Sequence, residues 1–163
     1  MANIIKEEGV QWIYVFENVL EVALIYAIIE MERVMARALF ELKDKLTEDF
    51  LLLNADAIFD IDFNRIVKFH KEKGGLVTLF THPNSHPYDS GLIIADKTGA
   101  VKQWLTKEDA RPKYYKNRVN AGLHVVSPDI LAVRPEGVKV DLDRQLLKPL
   151  AGTGTMFCYD SPE

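Results

Sequence analysis

FLLLNADAIFDIDFNRIVKFHKEKGGLVTLFT, residues 50–81, carries the pattern that decides the fold. Phe50-Leu51-Leu52-Leu53 is a short continuous apolar run, as expected of a strand buried on both faces. Asn54-Ala55-Asp56 ends it with polar groups. Asp62 suits the N-cap of a helix from Phe63 to about Lys73, and Gly74-Gly75 suits its stop. Leu76 to Thr81 reads as a second buried strand. Strand, helix and strand within about 30 residues make one βαβ unit, with a right-handed crossover and a parallel sheet.

On the N-terminal side, apolar residues recur at helical spacing from about Ile13 to Leu46, and Phe16, Leu20, Leu24, Met31, Val34 and Leu42 share one face. The spacing predicts a long amphipathic helix packed on the sheet, so the chain divides into a helical segment, 1–46, and an α/β part, 47–163. Trp12-Ile13-Tyr14-Val15-Phe16 also suits a strand, because aromatic and β-branched residues dominate it. On the C-terminal side, Leu92–Ala95 and Val101–Leu105 predict a β-hairpin around the turn Asp96-Lys97-Thr98-Gly99. Val119–Val126 reads as a strand, Ser127-Pro128 opens a short helix, Asp141–Leu150 is a helix and Thr155–Tyr159 a last strand. The fold class expected is α/β, a three-layer sandwich around a mostly parallel, mixed sheet.

The 163 residues are 48% apolar and 27% charged, the balance of a folded domain rather than of a collagen, a disordered chain or a disulfide scaffold. A net charge of −4 with no long basic run argues against non-specific nucleic-acid binding. Cys158 is the single cysteine, so no internal disulfide forms. The apolar stretch Trp12–Ile29 holds Glu17 and Glu21, which disfavours a membrane span, and the opening of the chain does not resemble a secretory signal. A cytoplasmic protein is the default expectation.

Asp56 is the most informative single residue, because ligands of open α/β sheets bind beyond the carboxyl ends of the strands. An aspartate there, with Asn54 beside it, suits a hydrated Mg²⁺ that also holds substrate phosphates. A strand-ending turn carboxylate explains it equally simply. His82 and His86 lie in a proline-broken run, which favours a loop lining a pocket over a metal site. His70 sits near a helix C-terminus, where compensation of the helix dipole is the simple explanation, and His124 reads as a satisfied core residue. Ala151-Gly152-Thr153-Gly154-Thr155 follows a helix and opens a strand, the reverse of a phosphate loop, so its glycines serve as helix stop and turn.

Taken in order, Phe50–Asp56, Ser90-Gly91, Trp104-Leu105-Thr106-Lys107 and Val119-Asn120-Ala121-Gly122-Leu123 resemble the sugar-phosphate nucleotidyltransferases, above all the mannose-1-phosphate and heptose-1-phosphate guanylyltransferases. Thr47 to Asp160 follows that pattern almost continuously. The resemblance implies a nucleoside triphosphate and a sugar 1-phosphate giving an NDP-sugar, here a GDP-sugar, and pyrophosphate. It implies Asp56 as the catalytic metal ligand with Mg²⁺ as cofactor, and Asn54, Gly91, Lys107, Asn120 and Gly122 as substrate-binding residues. Gly91 would let the backbone approach the sugar, Lys107 would meet the sugar phosphate, and Asn120 with Gly122 would hold sugar hydroxyls. Relatives are sometimes fused to a phosphatase domain.

Departures from the family pattern shape the remaining expectations. Thr106 stands where the family places a glutamate, and Glu32-Arg33-Val34-Met35-Ala36-Arg37 stands where a Leu-Gly-Thr-Ala-Gly-like stretch contacts the nucleotide. The family's Gly-rich triphosphate loop has no counterpart, and its second metal aspartate would follow Glu163. The fold is therefore expected to be incomplete at its N-terminal edge, with residues 1 to about 37 a variant, a truncation or a frameshift product. The expected chain is an inactive or weakly active fragment. The alternative is a non-catalytic binding or assembly domain of the same descent, in which homo-oligomers would cover an exposed sheet edge.

Overall fold

The computed structural model describes residues 2–7, 10–19, 22–28, 39–54, 59–84, 91–132 and 140–160, the backbone alone for 2–28 and 54. In chain order its strands are β1 (Ala2–Glu7), β2 (Val10–Val19), β3 (Val22–Ile28), β4 (Phe50–Asn54), β5 (Val77–Pro83), β6 (Leu92–Ala95), β7 (Val101–Leu105), β8 (Arg118–Val126) and β9 (Met156–Asp160). Helix α1 (Phe63–Lys73) joins β4 to β5. Nine strands form one mixed sheet in the order β1-β2-β3-β4-β8-β5-β9, and the β6–β7 hairpin attaches through β8 at Leu92 and Val119.

The βαβ segment forms as its sequence predicts. The Asp62 side chain accepts from the Asn64 amide at 3.0 Å, capping α1, and Gly74 ends the helix at φ 61° with its N–H on the His70 carbonyl. Ile66, Val67 and His70 are the buried face of α1. The two strands run the same way, but they are not neighbours. β8 lies between them, antiparallel to both, with His124 opposite Leu52 on one side and Leu79 on the other. A local strand–helix–strand pattern fixes direction, whereas β8 arrives from forty residues downstream by the apolar register that buries Leu123, Val125 and Val126.

Over the described residues of 2–28, strands form where the spacing predicts a helical segment. Val10–Val19 and Val22–Ile28 are strands that pair antiparallel with each other, and β3 pairs parallel with β4, Ile25 opposite Leu52. Among the described residues of 1–46, β1, β2 and β3 belong to the same sheet as β4. The aromatic and β-branched Trp12–Phe16 run outweighs the helical spacing, since such residues favour the pleated surface and apolar residues on both faces suit a covered strand. Helical backbone is present at residues 39–41; Leu42 and Leu46 of the expected face are buried, and so are Leu39 and Phe40, which lie off it. Phe50, Leu52, Ile66, Leu79, Leu123, Leu147 and Met156 form the centre of the core. No helix among the described residues is long and apolar enough to cross a membrane.

Candidate functional site

A cleft of about 330 Å³ opens where the hairpin meets β8, and Gly91, Lys107, Asn120 and Gly122 all line it. Four residues separated by up to 31 positions in sequence thus share one surface. Three separate stretches of chain bring them there. Gly91 precedes β6, Lys107 lies in the turn after β7, and Asn120 and Gly122 are in β8. Trp104 of β7 closes one wall, and a Cβ on Gly91 would stand 2.7 Å from its indole Nε1. Glycine at 91 is thus required by Trp104 itself, independently of any ligand.

The opposite wall is a π-helical turn, Leu142–Leu147, continued by a short 3₁₀ turn, Lys148–Leu150. Asp141 caps it, accepting from the Arg144 amide at 2.9 Å. Leu142, Leu146 and Leu147 anchor it in the core, while Asp143, Arg144 and Lys148 line the cleft. The turn carrying Lys107 is tied down by Asp109, whose Oδ2 accepts from the Thr106 amide at 2.7 Å, the Thr106 hydroxyl at 2.8 Å and Lys148 Nζ at 3.0 Å. The Thr106 amide, Lys148 and the Thr106 hydroxyl pull the Asp109 carboxyl down to about 2. Glu108 is also lowered, first by the Thr106 hydroxyl and further by Lys107 and Arg144. Lys107 is exposed and has no ion-pair partner among the described residues. An ammonium on a mobile stem, beside Arg144 and Lys148, suits a phosphate, and the neighbouring Glu108 and Asp143 carboxylates suit hydroxyl groups.

Asn120 reaches the cleft because β8 is bulged. Two steps along β5, from Leu79 to Thr81, match four along β8, from His124 to Asn120, and Gly122 takes φ 78° inside the irregularity. Asn120 Oδ1 accepts from the Gly122 amide at 3.3 Å and lies 3.0 Å from His124 Nε2. His124 is 1% exposed, and burial lowers its pKa to about 4, so the ring is neutral near pH 7.

Asp56 lies outside the described residues, so its expected place in the same cleft is not among these observations. Asn54 is the last residue of β4. His86 also lies outside, and His82 Nδ1 is 2.8 Å from the Pro83 carbonyl. Among the described residues no three His, Cys, Asp or Glu side chains are grouped to hold a metal ion. His70 stands in the last turn of α1 as expected, but its burial works against the charged form that dipole compensation uses. It is 2% exposed, with Nδ1 2.8 Å from the Thr78 hydroxyl and Nε2 3.5 Å from Asp49, and burial lowers its pKa. Gly152 and Gly154 have φ 82° and 86° in the turn before β9, as helix stop and turn residues. Trp104, Asp143, Arg144 and Lys148 escaped sequence reasoning as cleft residues. The i, i+4 spacing of Arg144 and Lys148 after a capping Asp141 is the signal that marks them.

A family model described as nucleotidyl transferase matches residues 5–147. The chain belongs to the nucleotidyl transferase family. Among curated members it is 26% identical over 113 residues to the mannose-1-phosphate guanylyltransferase catalytic subunit beta of Drosophila pseudoobscura pseudoobscura, covering 69% of this chain and 29% of that protein. It is 28% identical over 112 residues to the UTP–glucose-1-phosphate uridylyltransferase of a Synechocystis strain, covering 68% and 29% respectively. The chain therefore spans about three tenths of the length of these family members. Among solved structures, a provisionally assigned glucose-1-phosphate thymidylyltransferase of Bacillus anthracis, in complex with sucrose, superposes with a TM-score of 0.56 at 14% identity. That match covers 77% of this chain and 52% of the other, and it bears on the nucleotidyl transferase fold alone.

Proposed function

We propose that this chain carries the sugar-phosphate half of a sugar-1-phosphate nucleotidyltransferase. In the reaction a phosphate oxygen of the sugar 1-phosphate attacks the α-phosphorus of a nucleoside triphosphate. A P–O bond forms to the sugar phosphate, the bond to the β-phosphate breaks, and pyrophosphate leaves with that electron pair. The observation that carries the reading is the convergence of Gly91, Lys107, Asn120 and Gly122 on one cleft. Its volume of about 330 Å³ suits a ligand of sugar-phosphate size. Lys107 binds the phosphate, and the Asn120 carboxamide with the Gly122 backbone takes the sugar. Positioning and charge neutralisation are what such a transfer needs, since the protein supplies no covalent chemistry to it.

Mannose 1-phosphate and GTP are the substrates suggested by the mannose-1-phosphate guanylyltransferase relative, and Asp56 would hold a Mg²⁺ whose charge would be neutralising at the transferring phosphates. A cytoplasmic setting goes with those substrates. Residues 1–163 contain no Gly-rich loop bearing Arg and Lys, so we expect this chain alone to turn over weakly or not at all. Pyrophosphate release from GTP with mannose, glucose or heptose 1-phosphate tests that expectation, and robust turnover refutes it. Isothermal titration of mannose 1-phosphate into wild type and Lys107→Ala tests the site. Equal binding by both removes the role of Lys107. Oligomers by size-exclusion chromatography without any ligand binding would favour the assembly-domain alternative.

A further inference from the structure

We infer that His124 is a positioning residue for this cleft, locking the Asn120 carboxamide so that its NH₂ group faces the ligand. The inference rests on the sugar-phosphate reading above and adds to it a residue outside the cleft lining.

The Gly122 backbone N–H is a donor with no alternative role, so the Asn120 atom 3.3 Å away must be the oxygen. That settles the orientation of the amide. The same oxygen lies 3.0 Å from His124 Nε2, and an oxygen with only lone pairs to offer requires a hydrogen on that nitrogen. A neutral ring has one N–H, so Nδ1 is a bare acceptor, and it is buried with no hydrogen-bond partner in the described structure. Oδ1 is thereby held by two donors on the protein side. The planar carboxamide turns Nδ2 the other way, and no described residue bonds to it.

The contact depends on the bulge. In a regular strand Asn120 and His124 would stand about 13 Å apart, at roughly 3.3 Å per residue. Gly122 at φ 78° shortens that path until the two side chains touch. Nor does the pair serve stability well. An unpartnered nitrogen at Nδ1 costs desolvation, so an apolar side chain of similar size would suit the core better. His124 is explained by what it does to Asn120. A fixed NH₂ group donates two hydrogen bonds to ligand oxygens, and the ligand hydroxyl hydrogens can then turn to Glu108 and Asp143 in the same cleft.

The test titrates mannose 1-phosphate into wild type, His124→Leu, His124→Gln and Lys107→Ala, with melting temperatures recorded beside each. We expect His124→Leu to bind about tenfold more weakly while melting at the same or a higher temperature. His124→Gln keeps an amide donor for Asn120 Oδ1 and should bind within about threefold of wild type. ¹⁵N chemical shifts of the wild-type ring at pH 7.5 should show the Nε2–H tautomer, a measurement that needs no variant to fold. An Nδ1–H tautomer overturns the inference, as does His124→Leu binding like wild type while Lys107→Ala binds poorly. Wild type that binds no better than Lys107→Ala removes the sugar-phosphate reading itself, and the role of His124 falls with it.

Discussion

Lowering the pH from 7 to 4 should weaken this fold through its buried histidines, and the share of His124 can be isolated. His124 is 1% exposed and burial lowers its pKa to about 4, whereas an unfolded chain leaves imidazole near 6.5. Between those values the unfolded state holds the extra proton, so stability rises with pH and is lost as pH falls through the window. Above 6.5 both states are neutral, and below 4 both are protonated. Each unit is worth about 1.4 kcal/mol, so the full window amounts to roughly 3 kcal/mol, a large share of the 5–15 kcal/mol typical of a domain. His70 shifts the same way, and burial is again its first cause. It therefore adds to the wild-type slope and must be subtracted. Asp109, held down near 2, contributes stability that is present above the ordinary carboxylate range and is lost only as pH falls below it, so the windows separate. The assay is urea denaturation of wild type and His124→Leu at pH 7.5, 6.5, 5.5 and 4.5. The difference between the two proteins should move by about 3 kcal/mol towards the variant, with His70 cancelling in the comparison. Curves that stay parallel across this range would refute the argument that burial keeps His124 neutral.

Three substitutions test the cleft from other sides. Gly122→Ala forces a side chain into φ 78° and should cost about 1–2 kcal/mol in denaturant unfolding while weakening sugar-phosphate binding through the bulge. Gly91→Ala places a methyl group 2.7 Å from Trp104 Nε1, and overpacking of about 1–3 kcal/mol with a changed Trp fluorescence maximum should follow. Lys107→Ala removes an exposed ammonium, so melting should stay within a degree or two while mannose 1-phosphate affinity drops about tenfold or more, the loss of a charge-assisted hydrogen bond.

Local order was legible in the residues themselves. Asp62, Gly74, Asp96, Gly99 and the Ser127-Pro128 pair act within a few positions of where they stand, so the boundaries of α1 and the β6–β7 hairpin follow from cap and turn chemistry alone. The four cleft residues were likewise legible, because each belongs to a short stretch that resembles the family pattern. Three things needed the tertiary structure. Residues 10–28 carry a helical spacing and a strand composition at once, and pairing of β3 against β4 decides for the strand. β8 separates β4 from β5 because its apolar register fits both, a contact between segments too distant for any local pattern to signal. The hydrogen bond from His124 to Asn120 joins residues four apart on one strand across the bulge that holds Gly122. Spacing in sequence reports periodicity along an element, and a bulge is the place where periodicity stops.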